Sequence, residues 1–288
     1  MLYSDKSIFL GIADNISDKV KEFEIEKNVK VVFGSTIGSI SKGTHRLDSD
    51  YDARFLYISK SNQFISKEKN HLEKLIRFRI FDKENKCNCI AMWEVSAFLN
   101  FLAEPYIDNG YSYKLIRNVL WTFYSPYAYD PYALQPQLLF LISKSLSIKL
   151  EFEFHKENSC ELMNKFLVSN DVRDYLNAIH HFLSLKWIYI SNEIPPMSIW
   201  PLMALLSNDD KMELSLLITK IRVRNTNILQ EKEVNILLPI LSRLSKNCIP
   251  LIHKESEISE SVIRGNIEHM LWIIRHHLLL DPIDKLNM

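Results

Sequence analysis

The strongest constraint on the fold is the placement of the glycines. The chain of 288 residues has six, and three of them, Gly34, Gly38 and Gly43, fall within one ten-residue stretch. Glycine allows positive backbone φ angles and close approach of the backbone to other groups. A β-branched run from Val29 to Phe33 leads into the first of these glycines and is typical of a buried strand. The chain is therefore predicted to leave a strand and turn tightly at Gly34.

A second predicted strand follows and carries a pair of acids. Residues 51–58 (YDARFLYI) have the aromatic and β-branched composition of a strand, and Asp50 and Asp52 stand two residues apart at its start. Side chains alternate along a strand, so both carboxylates are expected on one face. Mg²⁺ prefers oxygen ligands and is commonly held by one or two carboxylates together with substrate phosphates. The pair predicts a site for Mg²⁺ or Mn²⁺.

The turn before this strand is predicted to hold phosphate. A tight turn at Gly34 and Ser35 presents backbone N–H groups and a hydroxyl to an anion. Two metal ions about 3.5–4 Å apart neutralise a triphosphate and activate an attacking hydroxyl. A Gly-Ser pair or a D-x-D pair alone is a weak signal, because D-x-D on a strand edge is more often a solvated face. In this order the two predict a nucleoside triphosphate site.

The remaining pattern predicts an α+β fold. Residues ~5–26 have helical spacing, and residues 75–81 and 88–93 indicate a β-hairpin, which completes a small mixed sheet. From Glu94 onward the apolar residues follow helical periodicity, in segments at 94–104, 111–122, 134–154, 159–168, 171–192, 198–206, 209–224, 230–246 and 257–280. We expect an N-terminal domain over residues 1–105 and an α-helical domain over residues 106–288.

Composition excludes several classes of protein. Thirty-five basic and 35 acidic residues give no net charge, unlike a dedicated nucleic-acid binder. The four cysteines form neither a disulfide framework nor a zinc-ligand pattern, and no H-E-x-x-H or G-x-S-x-G motif is present. The N-terminal residues lack signal-peptide features, and no stretch approaches the ~20 apolar residues of a membrane span. These features predict a soluble, cytoplasmic protein with no membrane partner.

The glycine-rich segment resembles a known superfamily. Gly34-Ser35 followed by Asp50-x-Asp52 is similar to the polymerase-β nucleotidyltransferases, whose signature is Gly-Ser followed within about a dozen residues by D-x-D on the next strand. SDYDARFLYI (49–58) resembles, more narrowly, the RNA-repair polymerase-β family, also called RlaP or YcgL. Residues 92–102, 121–130 and the block YLNAIHHFLSLKWI resemble later parts of that family. The resemblance covers most of the chain, with specific motifs in the first third.

This resemblance implies a Mg²⁺-dependent nucleotidyltransferase that moves an NMP from an NTP onto a hydroxyl. Asp50 and Asp52 would be the catalytic metal ligands, and the helical domain would close over the nucleotide. The implied nucleotide-binding residues are Gly34, Ser35, Lys42, Ser49 and Lys186. Lys42-Gly43-Thr44 also resembles the K/R-G-T of oligoadenylate-synthase-like and CCA-adding enzymes. The acceptor is open among RNA, a second nucleotide and a protein side chain, as are the base and the oligomeric state.

This sequence departs from the superfamily pattern at the third carboxylate. The family resemblance places it four residues before Trp93, where this chain has Cys89, a poor ligand for a hard ion. Glu94 is the candidate replacement in the catalytic set, and Asp82 or Glu84 are alternatives from the hairpin. Glu94 also fits the start of a helix, where a carboxylate is favourable for electrostatic reasons alone.

Ala97 is a second departure from the family pattern, because it stands where the family tends to place a basic residue. Two states of the protein fit these departures. One state is an active enzyme with a different third acid. The other is a catalytically degenerate protein of the same fold that binds nucleotide or a partner. Two further residues have two interpretations each: Lys186 reaches the triphosphate or snorkels beside Trp187, and Arg54 contacts phosphate or forms a structural ion pair. The aromatic segment 121–132 either stacks bases or, as we favour, packs at the joint between domains.

Overall fold

The structure is a computed structural model and confirms the α+β class. It describes residues 20–46, 49, 52–59, 75–81, 87–95, 98, 121–125, 128–130, 132–145, 147–223, 227–246, 265, 268, 269 and 272. A mixed sheet occupies the N-terminal part of these residues, and helices make up the C-terminal part. The predicted domain boundary between residues 105 and 106 and the predicted helix at 257–280 lie largely outside the described residues.

A five-stranded sheet forms the N-terminal layer, in the order β3-β4-β2-β1-β5. β2 pairs antiparallel with β1 and parallel with β4, and the predicted hairpin of β3 and β4 is confirmed as an antiparallel pair. The strands are β1 (Val29–Ile37), β2 (Asp52–Ser59), β3 (Leu75–Phe81), β4 (Cys87–Glu94) and the two-residue β5 (Ala128–Tyr129). β5 lies beyond residue 105 and still joins this sheet by pairing with β1.

Both faces of the sheet are covered because β1 contains a bulge. Val31 is opposite Tyr57, whereas Phe33 is opposite Leu56, so the extra residue moves Phe33 to the face opposite Val31. On Val31's face, the helical residues 20–27 contribute Val20 and Phe23 to a buried cluster. On the other face, Phe33 stacks on Phe123 with ring centroids 5.0 Å apart. Phe123 of the aromatic segment is thus packed against the sheet, and packing at a joint between domains stays a prediction.

The helical layer is built around one central helix. The short helix α1 (Gly38–Lys42) lies in the sheet region. The helical layer consists of α2 (Gln135–Ser145), α3 (Ile148–Ser169), α4 (Val172–Ser191), α5 (Ile199–Leu202), α6 (Asn208–Val223) and α7 (Glu231–Lys246), with 3₁₀ turns at Trp121–Tyr124 and Met203–Leu205. α4 is buried around most of its circumference and shares one hydrophobic core with α3, α6 and α7. Asp171 caps its start by accepting a hydrogen bond from the Arg173 N–H at 2.7 Å.

One predicted helix break is wrong. The sequence predicts separate helical segments at 134–154 and 159–168, but α3 runs through residues 155–158 without interruption. The break falls instead before α3, where the Ser147 side chain caps the helix by accepting from the Leu150 N–H. Lys156 and Glu157 are exposed on α3, so polarity there marks a solvated helix face and not a turn. Among the helices in the described part of the chain, none is long and apolar enough to cross a membrane.

Candidate functional site

The first Gly-Ser pair lies inside a strand, which corrects the predicted turn. β1 continues past Gly34 and Ser35 to Ile37, and both residues pair with β2 on one side and β5 on the other. Ser35 is buried, with 4% of its surface exposed. A Cβ atom at Gly34 would overlap the ring of Phe55. Gly34 therefore allows close packing in the sheet, and neither residue is among the described residues that line the cleft beside α1.

The turn occurs instead at a second Gly-Ser pair, Gly38-Ser39. Gly38 has φ 72° and opens α1, and Gly43 ends α1 with φ 75°. The short helix is held against β1 by buried hydroxyl groups: Ser41 Oγ donates to the Thr36 carbonyl at 2.6 Å and lies 2.9 Å from Ser125 Oγ. These contacts fix α1 at the carboxyl end of β1 although it is only five residues long.

A cleft of about 480 Å³ opens beside this turn. Its volume is in the range of small-molecule binding sites. One wall comes from the segment after β1 and the start of β2, and the other comes from α4 and the end of α6. The lining residues are Gly38, Ser39, Lys42, Thr44, Arg46, Ser49, Asp52, Val172, Arg173, Leu176, Asn177 and Ile221.

Three predicted site residues meet in this cleft. Asp52 begins β2 opposite Ile37, and its Oδ2 is 3.4 Å from the position of a Cβ atom built on Gly38. Lys42 and Ser49 line the same cleft, and the Ser49 hydroxyl accepts a hydrogen bond from the Arg46 N–H at 2.8 Å. Asp50 lies outside the described residues, so its place beside Asp52 stays a prediction.

Cationic side chains dominate the described lining of the cleft. Lys42, Arg46 and Arg173 line it together with one described carboxylate, Asp52. Arg173 stands in the first turn of α4, at the positive end of the helix dipole. The cleft therefore favours a ligand with several negative charges. Sequence reasoning did not find Arg46 or Arg173, because neither belongs to a motif.

Two of these cationic side chains donate hydrogen bonds to neutral side chains of the helical layer. Lys42 Nζ donates to Asn177 Oδ1 at 2.8 Å, and Arg46 Nη1 donates to Asn227 Oδ1 at 2.6 Å. Asn227 is tied to the start of α4, since its carbonyl accepts from the Val172 N–H at 2.8 Å. A further contact comes from Gly43, where a Cβ atom would lie 2.5 Å from Trp200 Nε1. The segment 38–46 thus packs directly on the helices.

Glu94 does not belong to this site, which corrects its assignment as a catalytic residue. It is the last residue of β4, directly before the helical residue Val95, and it pairs with Tyr57. Tyr57 is five residues beyond Asp52 on β2, or about 16 Å along the strand, and alternation places it on the opposite face of the sheet. Glu94 and Asp52 cannot share a metal ion. The alternatives Asp82 and Glu84 lie outside the described residues.

Cys89 occupies the register position predicted for the third acid. Its Cα is paired with that of Asp52 on the neighbouring parallel strand. This register agrees with the position that the family resemblance gives for the third acid, and the role of the position stays a prediction. Among the residues that the structure describes, no three histidine, cysteine, aspartate or glutamate side chains converge as metal ligands.

The other sequence candidates lie outside the cleft lining. Lys186 Nζ donates to the Leu205 carbonyl at 2.7 Å, within the helical layer, which matches the structural interpretation and not contact with a triphosphate. The Arg54 guanidinium carbon lies 5.5 Å from the centroid of the Trp93 ring, a cation–π contact. Tyr57, the residue that pairs with Glu94, is also outside the cleft lining. Its burial and, to a lesser extent, the Glu94 charge raise the pKa of Tyr57 to about 12.

Spacing is the signal that distinguishes the two Gly-Ser pairs. Ten residues (40–49) separate Ser39 from Asp50, whereas 14 residues (36–49) separate Ser35 from Asp50. The superfamily signature has its D-x-D within about a dozen residues, so Gly38-Ser39 is the better match. Only its place directly after the β-branched run favours the first pair.

Comparison with known proteins matches the segment that contains both Gly-Ser pairs to one family. Residues 12–105 match the model of a family described as RlaP, the RNA repair pathway DNA polymerase beta family. The predicted resemblance is confirmed over this segment. A weaker similarity links the chain to the uncharacterized protein YcgL of Bacillus subtilis (strain 168), with 24% identity over 192 residues, or 65% of this chain and 67% of that protein. The RlaP match includes Gly38, Lys42 and Asp52, and indicates nucleotidyltransferase-type activity at the level of the family.

Proposed function

We propose that the cleft binds a nucleoside triphosphate with Mg²⁺ or Mn²⁺ and transfers its NMP to a hydroxyl acceptor. The acceptor oxygen would lose its proton and bond to the α-phosphorus as the bond to the bridging oxygen breaks and pyrophosphate leaves. The observation that carries the proposal is the meeting of Asp52, the Gly38-Ser39 turn and Lys42 in one cation-lined cleft, inside the segment that matches RlaP. A polyanion complements the three cations, and a carboxylate beside them suits a metal-bound phosphate.

The phosphate-binding role belongs, in this proposal, to Gly38 and Ser39 and not to Gly34 and Ser35. Gly38 has a positive φ that only glycine adopts at low cost, and it lies directly beside the Asp52 carboxylate. Lys42, Arg46 and Arg173 would bind the triphosphate and orient its α-phosphorus toward the acceptor. Ser49 would support the turn through its contact with the Arg46 backbone.

The residues present fit a hard divalent cation. Asp52 supplies carboxylate oxygens at the cleft, and the resemblance assigns Asp50 as its partner ligand. Mg²⁺ bound there would neutralise phosphate charge and lower the pKa of the acceptor hydroxyl. On the opposite wall, Val172, Leu176 and Ile221 give an apolar surface that would pack against the nucleoside and exclude water.

A transfer assay with Asp52→Asn tests the proposed activity. The protein is incubated with each α-labelled NTP, Mg²⁺ or Mn²⁺, and separate RNA, nucleotide and protein acceptors. We expect the wild-type protein to transfer label and Asp52→Asn to be slower by a factor of about 10²–10⁴, because a metal ligand is lost. Asp209→Asn removes the same charge at an exposed position of α6 and should match wild type. Transfer by Asp52→Asn at the wild-type rate would contradict the proposal.

The register of Cys89 favours a second candidate function, a catalytically degenerate nucleotide-binding or interaction protein of the same fold. Cysteine beside Asp52 supplies no hard ligand for a second metal ion. This candidate predicts that the wild-type protein binds NTP in calorimetry but transfers no label. It also predicts that Cys89→Asp, which restores a carboxylate at this register, gains transfer activity. Transfer by the wild-type protein would exclude it.

A further inference from the structure

We propose that Asn177 and Asn227 are positioning residues, which hold Lys42 and Arg46 in place for the phosphate tail of the bound nucleotide. This inference rests on the proposed nucleotide function and adds two residues to it from outside the RlaP match. The proposal rests on two hydrogen bonds. The side-chain oxygen of Asn177 accepts one from Lys42 at 2.8 Å, and that of Asn227 accepts one from Arg46 at 2.6 Å.

The local fold places the two asparagines together at one end of α4. Asp171 forms an isolated antiparallel bridge with Ile228, the Leu229 N–H donates to the Asn170 carbonyl at 3.0 Å, and the Val172 N–H donates to the Asn227 carbonyl. Asn227 is therefore fixed beside the first turn of α4, and Asn177 follows in the second turn. The two cations of the loop each meet an acceptor on the same rigid support.

The chemistry of the acceptor matters because asparagine adds no negative charge. An aspartate at either position would hold the cation equally well but would oppose the approach of a phosphate. Long cationic side chains lose considerable conformational freedom when a ligand fixes them, and a neutral acceptor removes part of that cost in advance. The asparagines hold the two cations at the cleft without adding negative charge of their own, which suits a site that binds a polyphosphate.

Isosteric substitution separates this role from a structural one. Asn177→Asp keeps the shape and the contact with Lys42 but adds one negative charge in the cleft. Asn227→Asp does the same beside Arg46. Asn164→Asp adds the same charge at an exposed position of α3 and serves as the matched control. Calorimetric titration with Mg²⁺-bound ATP, GTP, CTP and UTP, and with inorganic tripolyphosphate, measures binding, and thermal unfolding measures stability.

We expect Asn177→Asp and Asn227→Asp each to weaken tripolyphosphate and NTP binding about 10- to 100-fold, with an unfolding midpoint equal to or above that of wild type. Asn164→Asp should bind like wild type. If both variants bind like wild type, the asparagine contacts do not place Lys42 and Arg46 at the phosphates, and the inference is overturned while the nucleotide site stands. If wild-type protein binds neither NTP nor tripolyphosphate, the proposed function fails, and this inference fails with it. Should Asn177→Asp not fold, Asn227→Asp decides by the same criteria.

Discussion

At the scale of single residues, glycine has different roles along one short stretch. Gly34 accommodates the Phe55 ring inside the sheet, Gly38 opens the cleft with a positive φ, and Gly43 ends α1 under the Trp200 indole. A clustered set of glycines therefore indicates that backbone geometry is special without telling which glycine faces a ligand. Only the neighbours of each residue make that distinction.

Gly34→Ala should destabilise the protein without acting on the cleft directly. The added Cβ overlaps the buried Phe55 ring, and overpacking of this kind costs about 1–3 kcal/mol of unfolding free energy. Urea denaturation measures the effect. Phe55→Leu combined with Gly34→Ala should cost less than the sum of the two single changes, since the smaller side chain leaves room for the methyl group. Gly265→Ala, which meets no atom within 4 Å, is the control and should be neutral or slightly stabilising. Strict additivity would contradict this account of Gly34.

Tyr57 should make stability depend on alkaline pH. Its pKa rises from 10.0 to about 12 in the folded protein, chiefly by burial. The unfolded chain then ionises first, so stability is fully present below pH 10 and decreases as pH rises from 10 to 12. Tyr57→Phe should show a shallower decrease over this interval in urea denaturation. An unchanged pH profile in Tyr57→Phe would contradict the assignment.

At the scale of elements, α3 and α4 are joined by a buried polar chain as well as by their apolar core. Glu151 and His155 lie one turn apart on α3, with Glu151 Oε2 3.3 Å from His155 Nε2. His155 Nδ1 is in turn 2.8 Å from Nδ1 of His181 on α4. Glu151 and His155 are fully buried, so these groups depend on one another for hydrogen bonding. This buried row of polar side chains specifies how α3 and α4 face each other.

Glu151→Ala should therefore be among the more damaging substitutions in the helical layer. Removing one member of a buried charged or hydrogen-bonded set costs about 3–5 kcal/mol, because the remaining polar atoms stay buried. Thermal and urea unfolding measure this loss. Lys165→Ala breaks the exposed pair with Glu161 on the same helix and should leave the unfolding midpoint essentially unchanged. Equal effects of the two variants would contradict a structural role for the buried chain.

At the scale of the whole molecule, the fold was more predictable than the site. The β-hairpin and the helical periodicity of α4 are encoded in local alternation of apolar residues, so their bounds were predicted within a few residues. The turn was misplaced because two Gly-Ser pairs compete, and only pairing with β5, far along the chain, shows that Gly34 stays in the sheet. Arg173 and Asn177 reach the cleft through tertiary packing of α4, which no local pattern reveals.

The same limit explains the correction at Glu94. Glu94 directly follows Trp93 in the sequence and offers a carboxylate near the predicted position, but strand register decides which side chains share a face. Parallel pairing of β2 with β4 aligns Cys89 with Asp52 and moves Glu94 to the far end of the strands. Register depends on long-range contacts, so the sequence could suggest a replacement acid but could not place it.

The most direct test of the account is a crystal structure with a non-hydrolysable NTP and Mg²⁺. We predict the triphosphate between the Gly38-Ser39 turn and the first turns of α4, with Mg²⁺ bound to the Asp52 carboxylate and with Lys42, Arg46 and Arg173 on the phosphates. A nucleotide bound elsewhere, or a cleft without nucleotide at a saturating concentration, would contradict the central claim that this cleft is a nucleotide site.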